Sequence, residues 1–85
     1  MIITRAAIMF SSGEIFEGQT YSSIISIASK LGFTGEKICG FVTSSGDFVL
    51  PQDAVTIALK AKQISNFKEK LEPEDIRPNL IVDAY

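Results

Sequence analysis

Residues 41–54 read FVTSSGDFVLPQDA, and residues 10–23 read FSSGEIFEGQTYSS. In both segments an apolar run meets Ser-Ser-Gly, an acidic residue and two further apolar residues. Glycine supplies the positive φ that a tight hairpin turn needs, so each segment predicts a strand, a turn and a returning strand. The two turn glycines, Gly13 and Gly46, lie 33 residues apart (46 − 13). The sequence therefore predicts a duplicated unit.

Each predicted hairpin is followed by the spacing of an amphipathic helix, with apolar residues at i, i+3, i+4 and i+7. These residues are Ile24, Ile27, Ala28 and Leu31 after the first hairpin, and Ala54, Ile57, Ala58 and Ala61 after the second. The 33-residue offset also aligns Ile24 with Ile57 and Ala28 with Ala61. We therefore expect a second helix in the position equivalent to the first.

Together these patterns predict an α+β fold: two ββα units forming a four-stranded antiparallel sheet with two helices on one face, and a C-terminal extension. Residues 1–64 would be the ββαββα core domain and residues 65–85 the extension. Pro73 and Pro78 exclude a long helix in the extension. Its apolar end, NLIVDAY, is expected to dock either on the same chain or on the sheet edge of a partner.

The composition excludes several classes of function. The chain of 85 residues has no histidine, which removes the usual general base and the commonest transition-metal ligand. The formal net charge of -2 gives no footprint for duplex nucleic acid. No apolar run approaches the roughly 20 residues of a membrane span. We therefore expect no association with a membrane. A single cysteine cannot form an internal disulfide, so nothing indicates an oxidising compartment and we expect a cytoplasmic protein.

Candidate residues for catalysis each have a structural interpretation that is favoured. Cys39 lies in an apolar strand without a histidine to activate it, so we expect a buried structural cysteine. Asp47 and Asp53 are interpreted as a turn acid and a helix-start acid rather than an acid–base pair. The Ser-Ser-Gly turns resemble parts of an anion-binding nest, but serine and glycine are also the residues that turns prefer.

Candidate residues for ligand binding are cations and rings. Arg5, Lys68, Lys70 and Arg77 are the cations of interest for a small anionic ligand, although a solvated surface charge is the commoner role. The ring of Phe41 follows Gly40, a strand glycine that often marks a close approach. For Phe41, a core position and a surface for purine stacking both remain open.

Residues 40–63, GFVTSSGDFVLPQDAVTIALKAKQ, resemble a family of small proteins encoded by tailed bacteriophages. Its members carry a segment like G-F-V-T-S-x-G-x-F-V followed by an alanine-rich helix ending near A-x-Q. The opening RAAIMFSSGEIFEG is similar to that family's first hairpin, and the resemblance covers residues 2–64. The Thoeris anti-defence protein one family, which is of this type, binds cyclic ADP-ribose isomers and so removes the signal from the host's Thoeris effector.

The resemblance implies a phage anti-defence sponge that binds a cyclic nucleotide signal, a cyclic ADP-ribose isomer, in the cytoplasm of the bacterial host without cleaving it. It implies a homo-oligomer whose helices pack between subunits. We expect no enzymatic activity, cofactor or metal. The ligand-binding positions carried over by the resemblance are Phe41, Thr43, Pro51, Gln52 and Arg77.

A second hypothesis belongs to a different class of function. The protein would be a small phage interaction protein that inhibits or recruits a host protein. The contact surface would be an apolar patch formed by the alanine-rich helix and the NLIVDAY end. Binding of a protein partner, without nucleotide, distinguishes this hypothesis from the first.

Overall fold

The computed structural model describes residues 1–76, which form four strands and three helices. The strands are β1 (Ile3–Phe10), β2 (Ile15–Gly18), β3 (Lys37–Thr43) and β4 (Phe48–Val49). The helices are α1 (Tyr21–Lys30), α2 (Pro51–Lys60) and the short α3 (Pro73–Ile76). All strand pairs are antiparallel and the order across the sheet is β2-β1-β3-β4. The predicted α+β fold with a four-stranded antiparallel sheet is confirmed.

The two Ser-Ser-Gly turns have the same backbone geometry. In each turn, the residue before the first serine donates its N–H to the carbonyl of the acidic residue, and the glycine N–H donates back to the carbonyl of that first residue. All four bonds are 2.9 Å long, and they join Phe10, Gly13 and Glu14 in the first turn and Thr43, Gly46 and Asp47 in the second. The turn glycines have φ of +94° and +90°, the left-handed conformation that closes a three-residue hairpin loop. The predicted duplication is confirmed at the turns.

The 33-residue offset does not extend to the helices. The buried positions that correspond are Ile24 and Ala28 in α1 and Ala54 and Ala58 in α2. Equivalent helix positions are therefore 30 residues apart (54 − 24), and the predicted alignments with Ile57 and Ala61 were wrong. The physical reason is a shorter connection: α1 begins eight residues after Gly13 (21 − 13), whereas α2 begins five residues after Gly46 (51 − 46). Two residues of this difference arise because β4 has two residues and β2 has four, and the third because one residue rather than two links the strand to the helix.

The apolar stripe predicted for α1 is only partly buried. Ile24 and Ala28 lie in the core, and Tyr21 packs against it from the first turn of the helix. Ile27 and Leu31, by contrast, are exposed at 54% and 63%. No helix within residues 1–76 has the length and apolar character needed to cross a membrane.

The helices cover one face of the sheet. Ala6, Ile8 and Phe10 of β1 alternate toward this face, and Phe41 of β3 lies directly opposite Ala6. These strand side chains form one hydrophobic cluster with the buried residues of both helices, which are Ile24, Ala28, Ala54, Val55 and Ala58. Since most of the helical residues are alanine, the α2 backbone approaches the sheet closely.

The chain after α2 contributes to the same core. Leu71 and Ile76 are 1% and 0% exposed and belong to the main hydrophobic cluster. The Leu71 N–H donates to the Pro51 carbonyl at 3.0 Å, which holds this segment against the start of α2. Residues 65–76, assigned to the extension from the sequence, thus help to close the sheet face. Pro78 and the NLIVDAY end lie outside the described residues, so the expected docking of that end stays a prediction.

Gln63 holds the beginning of β1. Its Nε2 donates to the Ile3 carbonyl and its Oε1 accepts the Ile3 N–H, both at 2.8 Å. Ile3 is 0% exposed, so water cannot replace either bond. A single side-chain amide thereby completes the backbone hydrogen bonds of a buried strand residue 60 positions earlier in the chain.

Replacing this amide tests its structural role. Gln63→Leu keeps the side-chain size but leaves the Ile3 N–H and carbonyl without partners, so we expect the free energy of unfolding to fall by about 2 kcal/mol or more. Gln52→Leu, at an exposed glutamine of α2, is the matched control and should stay within about 0.5 kcal/mol of the parent. Urea unfolding followed by circular dichroism measures both. Equal stabilities of the two variants would contradict the role assigned to Gln63.

Candidate functional site

The ligand-binding residues expected from the sequence lie in different environments. Phe41 is 0% exposed, and its ring packs 6.1 Å from the ring of Tyr21. Of the two open interpretations, the structure therefore places Phe41 in the core. Gln52 is exposed, and Arg77 lies outside the described residues. The clefts found beside the end of α2, at the first turn and along α1 are lined by other side chains, and the role of the expected residues in ligand binding stays a prediction.

Thr43 is occupied by the second turn. Its Oγ1 lies 2.8 Å from the Oγ of Ser45 and accepts the N–H groups of Ser45 and Asp47 at 3.3 and 3.4 Å. The Oγ of Ser45 donates in turn to the Asp47 carboxylate at 3.1 Å. The polar groups of this turn, which resembled part of an anion-binding nest, thus bond to one another. These hydrogen bonds stabilise the turn.

Pro51 and Gln52 begin α2, where the first helical amides have no side-chain cap because Leu50 occupies the N-cap position. Unpaired amides at a helix N-terminus favour an anion. Asp53, however, brings a carboxylate into the same first turn. This helix end is therefore complemented by the chain's own negative charge.

Tyr21 joins the start of α1 to the central strand. Its hydroxyl donates to the Gly40 carbonyl at 3.0 Å. Burial raises the pKa of Tyr21 well above its usual value, and Cys39, Glu72 and Glu74 raise it further. The hydroxyl therefore stays protonated near neutral pH and acts as a structural donor. Cys39, which was expected to be buried, is half-buried and packs against the core.

Gly40 is required because other groups approach its backbone. A Cβ atom at this position would lie 2.4 Å from the Val49 carbonyl oxygen and 2.6 Å from the Phe48 ring. Phe48 is half-buried and lies on the face of the sheet opposite the helices. The expected close approach at this glycine thus serves strand packing.

A cleft of about 730 Å³ lies beside the C-terminal end of α2 and is called the α2 cleft below. Leu59 and Ile64 give it apolar surface, and its polar side chains include Lys62, Asn66, Lys68 and Asp75. Its volume lies within the roughly 300–1,000 Å³ of small-molecule sites. The α2 cleft therefore combines a surface for a ring with cations for an anionic group.

The reversal of the chain after α2 creates this cleft. Lys62 adopts a left-handed φ of +61°, and the Gln63 N–H donates back to the Ala58 carbonyl at 2.8 Å. These features end the helix in the manner of a Schellman motif. The chain then returns until Leu71 reaches Pro51 at the other end of α2. The returning segment is one wall of the α2 cleft and the helix end is the other.

An ion pair organises the charges of the cleft. The Lys68 Nζ donates to the Asp75 carboxylate at 2.6 Å, and the same oxygen accepts the Glu72 N–H at 2.8 Å. Burial acts to raise the pKa of Asp75, but the hydrogen bonds from Lys68 and the Glu72 backbone outweigh it and hold the pKa below its usual value. With Lys62 as a second cation, the described lining carries one net positive charge, two lysines against one aspartate.

Sequence reasoning identified only one member of this cleft, Lys68. Lys62, Asn66 and Asp75 carry no periodicity or motif, because they meet only where the chain folds back along α2. Within residues 1–76, no group of three His, Cys, Asp or Glu side chains is placed to hold a metal ion. The lining of the cleft offers charge, amide and apolar contacts to a ligand.

The Lys68–Asp75 pair should make stability depend on pH. A carboxyl whose pKa is lowered by folding stabilises the native state above its unfolded pKa of about 3.9, and the contribution is lost as the pH falls through the folded value. Because the pair is partly exposed, Asp75→Asn should cost only about 0.5 kcal/mol near pH 7. This cost should shrink as the pH falls below about 4.

Urea unfolding at several pH values measures this difference. Lys68→Gln should show the same loss, and the double variant should lose no more than either single variant, because one interaction is removed in all three. A loss in Asp75→Asn that stays constant between neutral and acidic pH would contradict the ion-pair assignment.

Comparisons with known proteins complete the description of the site. The chain matches no protein-family model, no curated protein and no solved structure. The resemblance of residues 2–64 to the phage family accordingly stays a prediction.

Proposed function

We propose that the protein binds and sequesters a cyclic nucleotide signal, a cyclic ADP-ribose isomer, without cleaving it. The observation that carries this proposal is the α2 cleft, which has the volume of a small-molecule site and a net positive lining. Sequestration requires binding and no general base, so the absence of histidine from the sequence does not prevent it. The phage resemblance supplies the biological role, removal of the Thoeris signal from the host cytoplasm.

The ligand chemistry suits the residues of the cleft. A cyclic ADP-ribose isomer presents a diphosphate, two riboses and an adenine ring. Lys62 and Lys68, which line the cleft, would bind the diphosphate through their charge, and the side-chain amide of Asn66 would bind ribose hydroxyls. Leu59 and Ile64 offer apolar surface to the ring. Each part of the ligand thus has a partner of matching chemistry.

A homo-oligomer is part of the proposal. Ile25 and Ile27 of α1 and Leu31 at its C-cap are 38%, 54% and 63% exposed, although apolar side chains gain free energy from burial. A second copy of the chain would cover them, as the phage resemblance implies for helices that pack between subunits. The oligomer would also enclose a ligand more fully than one chain does.

Depletion of the ligand from solution tests the proposal. Purified protein mixed with cyclic ADP-ribose isomers should retain one of them during ultrafiltration, and heating should release the intact compound. Lys62→Gln should weaken retention by about tenfold, as expected for loss of one charge-assisted contact. Lys30→Gln, at an exposed lysine at the end of α1, is the matched control and should retain the ligand like the parent.

Two outcomes would contradict sequestration. No depletion of any isomer by the parent protein would show that the ligand is wrong. Release of a cleaved product would show that the protein is an enzyme, provided that the ligand heated without protein gives no such product. Mass spectrometry of the heated supernatant distinguishes intact ligand from product.

The interaction-protein hypothesis is favoured by one further surface. Ile15, Met9 and Ile38 lie side by side on neighbouring strands, on the sheet face opposite the helices. Ile15 and Ile38 are 41% and 52% exposed. Such an apolar row suits contact with another protein. A stoichiometric protein partner, recovered without any nucleotide depletion, would support this second function.

A further inference from the structure

Two apolar surfaces of the described residues remain exposed, one on each side of the sheet. The sheet row, which consists of Ile15, Met9 and Ile38, faces away from the helices. The helix stripe consists of Ile27 and Leu31, which lie one turn apart at the exposed side of α1. Because apolar side chains gain free energy from burial, each surface favours a partner.

The sheet row continues into a cleft. A cavity of about 510 Å³ beside the first turn is lined by Met9 and Ile38 of the row, together with Phe10. A pocket encloses the side chain of a partner more fully than a flat sheet does. The sheet row therefore fits a convex ridge, such as the side chains of a helix.

Acidic residues surround the sheet row. Glu14 precedes Ile15, and Glu17 shares its sheet face, because alternate residues of a strand point the same way. Glu36 and Lys37 line the first-turn cleft at the other end of the row. All four charged side chains are exposed, and three acids against one lysine give this rim two net negative charges.

The helix stripe has a rim of opposite charge. Lys30 is the only charged residue of α1, and it lies on the same side of the helix as Ile27, three positions earlier. A basic rim around one surface and an acidic rim around the other are complementary, and such complementarity guides association. The two surfaces of this chain therefore match each other in charge as well as in apolar character.

The dimensions of the two surfaces also agree. Neighbouring strands lie about 4.8 Å apart, so the three side chains of the sheet row span about 10 Å and leave two gaps between them. Ile27 and Leu31 are four residues apart, which is about 6 Å along a helix. Two helical side chains can thus occupy the two gaps of the row.

We infer that the helix stripe of one copy of this chain packs into the sheet row of the next copy. The inference rests on the proposed function in taking a homo-oligomer, and it deepens that function by naming the two surfaces that form the contact. Contact between two different surfaces is head-to-tail, and two copies cannot close it because the surfaces lie on opposite sides of the sheet. The assembly is therefore a ring or a stack of at least three copies.

Sedimentation of the full chain in the analytical ultracentrifuge tests this contact. The parent should sediment as three or more copies. Ile38→Asp in the sheet row and Ile27→Asp in the helix stripe should each give monomers, because each places an unpaired charge in an apolar contact. Leu50→Asp is the control, since Leu50 is an exposed apolar residue outside both surfaces and aspartate is favoured at its N-cap position. This variant should assemble like the parent, and circular dichroism confirms that all variants are folded.

Mixing the two monomeric variants distinguishes a head-to-tail contact from a symmetric one. Ile38→Asp keeps an intact helix stripe and Ile27→Asp keeps an intact sheet row, so an equimolar mixture should form one-to-one pairs and nothing larger. A symmetric contact between two helix stripes predicts instead that Ile38→Asp assembles like the parent. That result would overturn the inference.

Exposed charges give a second test that does not threaten the fold. Lys30→Glu should weaken assembly by about tenfold at low salt, because it brings a negative charge to the acidic rim. Lys30→Gln should stay within about threefold of the parent, since a rim charge guides association more than it holds the contact. Adding Glu17→Lys to Lys30→Glu should restore assembly. Assembly of Lys30→Glu at the strength of the parent would overturn this pairing of rims.

The outcomes separate this inference from the proposed ligand. If the parent assembles through Ile27 and Ile38 but retains no cyclic ADP-ribose isomer, the contact stands and the proposed ligand is wrong. If the parent is a monomer that sequesters an isomer, the contact is wrong and sequestration stands. A monomeric parent overturns the inference whether its sheet row then binds another protein or the chain's own NLIVDAY end.

Discussion

Pairing of β1 with β3 joins the two ββα units into one sheet, and every other part of the described chain depends on it. A single two-stranded hairpin is marginally stable in water, because it has no second layer on which to bury its apolar face. The central pairing sets Ala6 beside Phe41 and so creates a continuous apolar surface across both hairpins. The small residues of α2 then allow that helix to lie close to this surface. Duplication of the unit therefore has a structural purpose, which is to complete one core.

Closure of the core and formation of the α2 cleft have the same origin. The chain reverses at Lys62, and Gln63 immediately bonds to Ile3 at the start of the central strand. The returning segment then reaches Pro51 through Leu71, which is buried. Because this segment must pass along α2 to deliver Leu71, its polar residues remain on the outside. The cleft is thus held by the contacts that stabilise the fold, so a ligand would meet a largely preformed site.

The proposed binding site differs from the one that the sequence resemblance implies. Phe41 fills the core, and the hydroxyl of Thr43 bonds within its own turn. The residue types that bind nucleotides, aromatic rings and hydroxyls, are also those that fill cores and shape turns. Burial decides between these roles, and a side chain that already has partners inside the fold has little to offer a ligand. Lys62 keeps exposed surface in the α2 cleft and is therefore able to contact a ligand.

The sequence by itself determined the features that depend on near neighbours. Ser-Ser-Gly specifies both turns because a left-handed glycine closes the loop locally, and the apolar spacing located both helices. The tertiary structure alone decided the alignment of the helices, since β4 is shorter than β2 and only the assembled sheet shows where each helix must start. It also decided the burial of Phe41 and the meeting of Lys62 with Lys68 and Asp75. These contacts depend on how the chain returns along α2, and the pairing of distant residues leaves no periodic signal in the sequence.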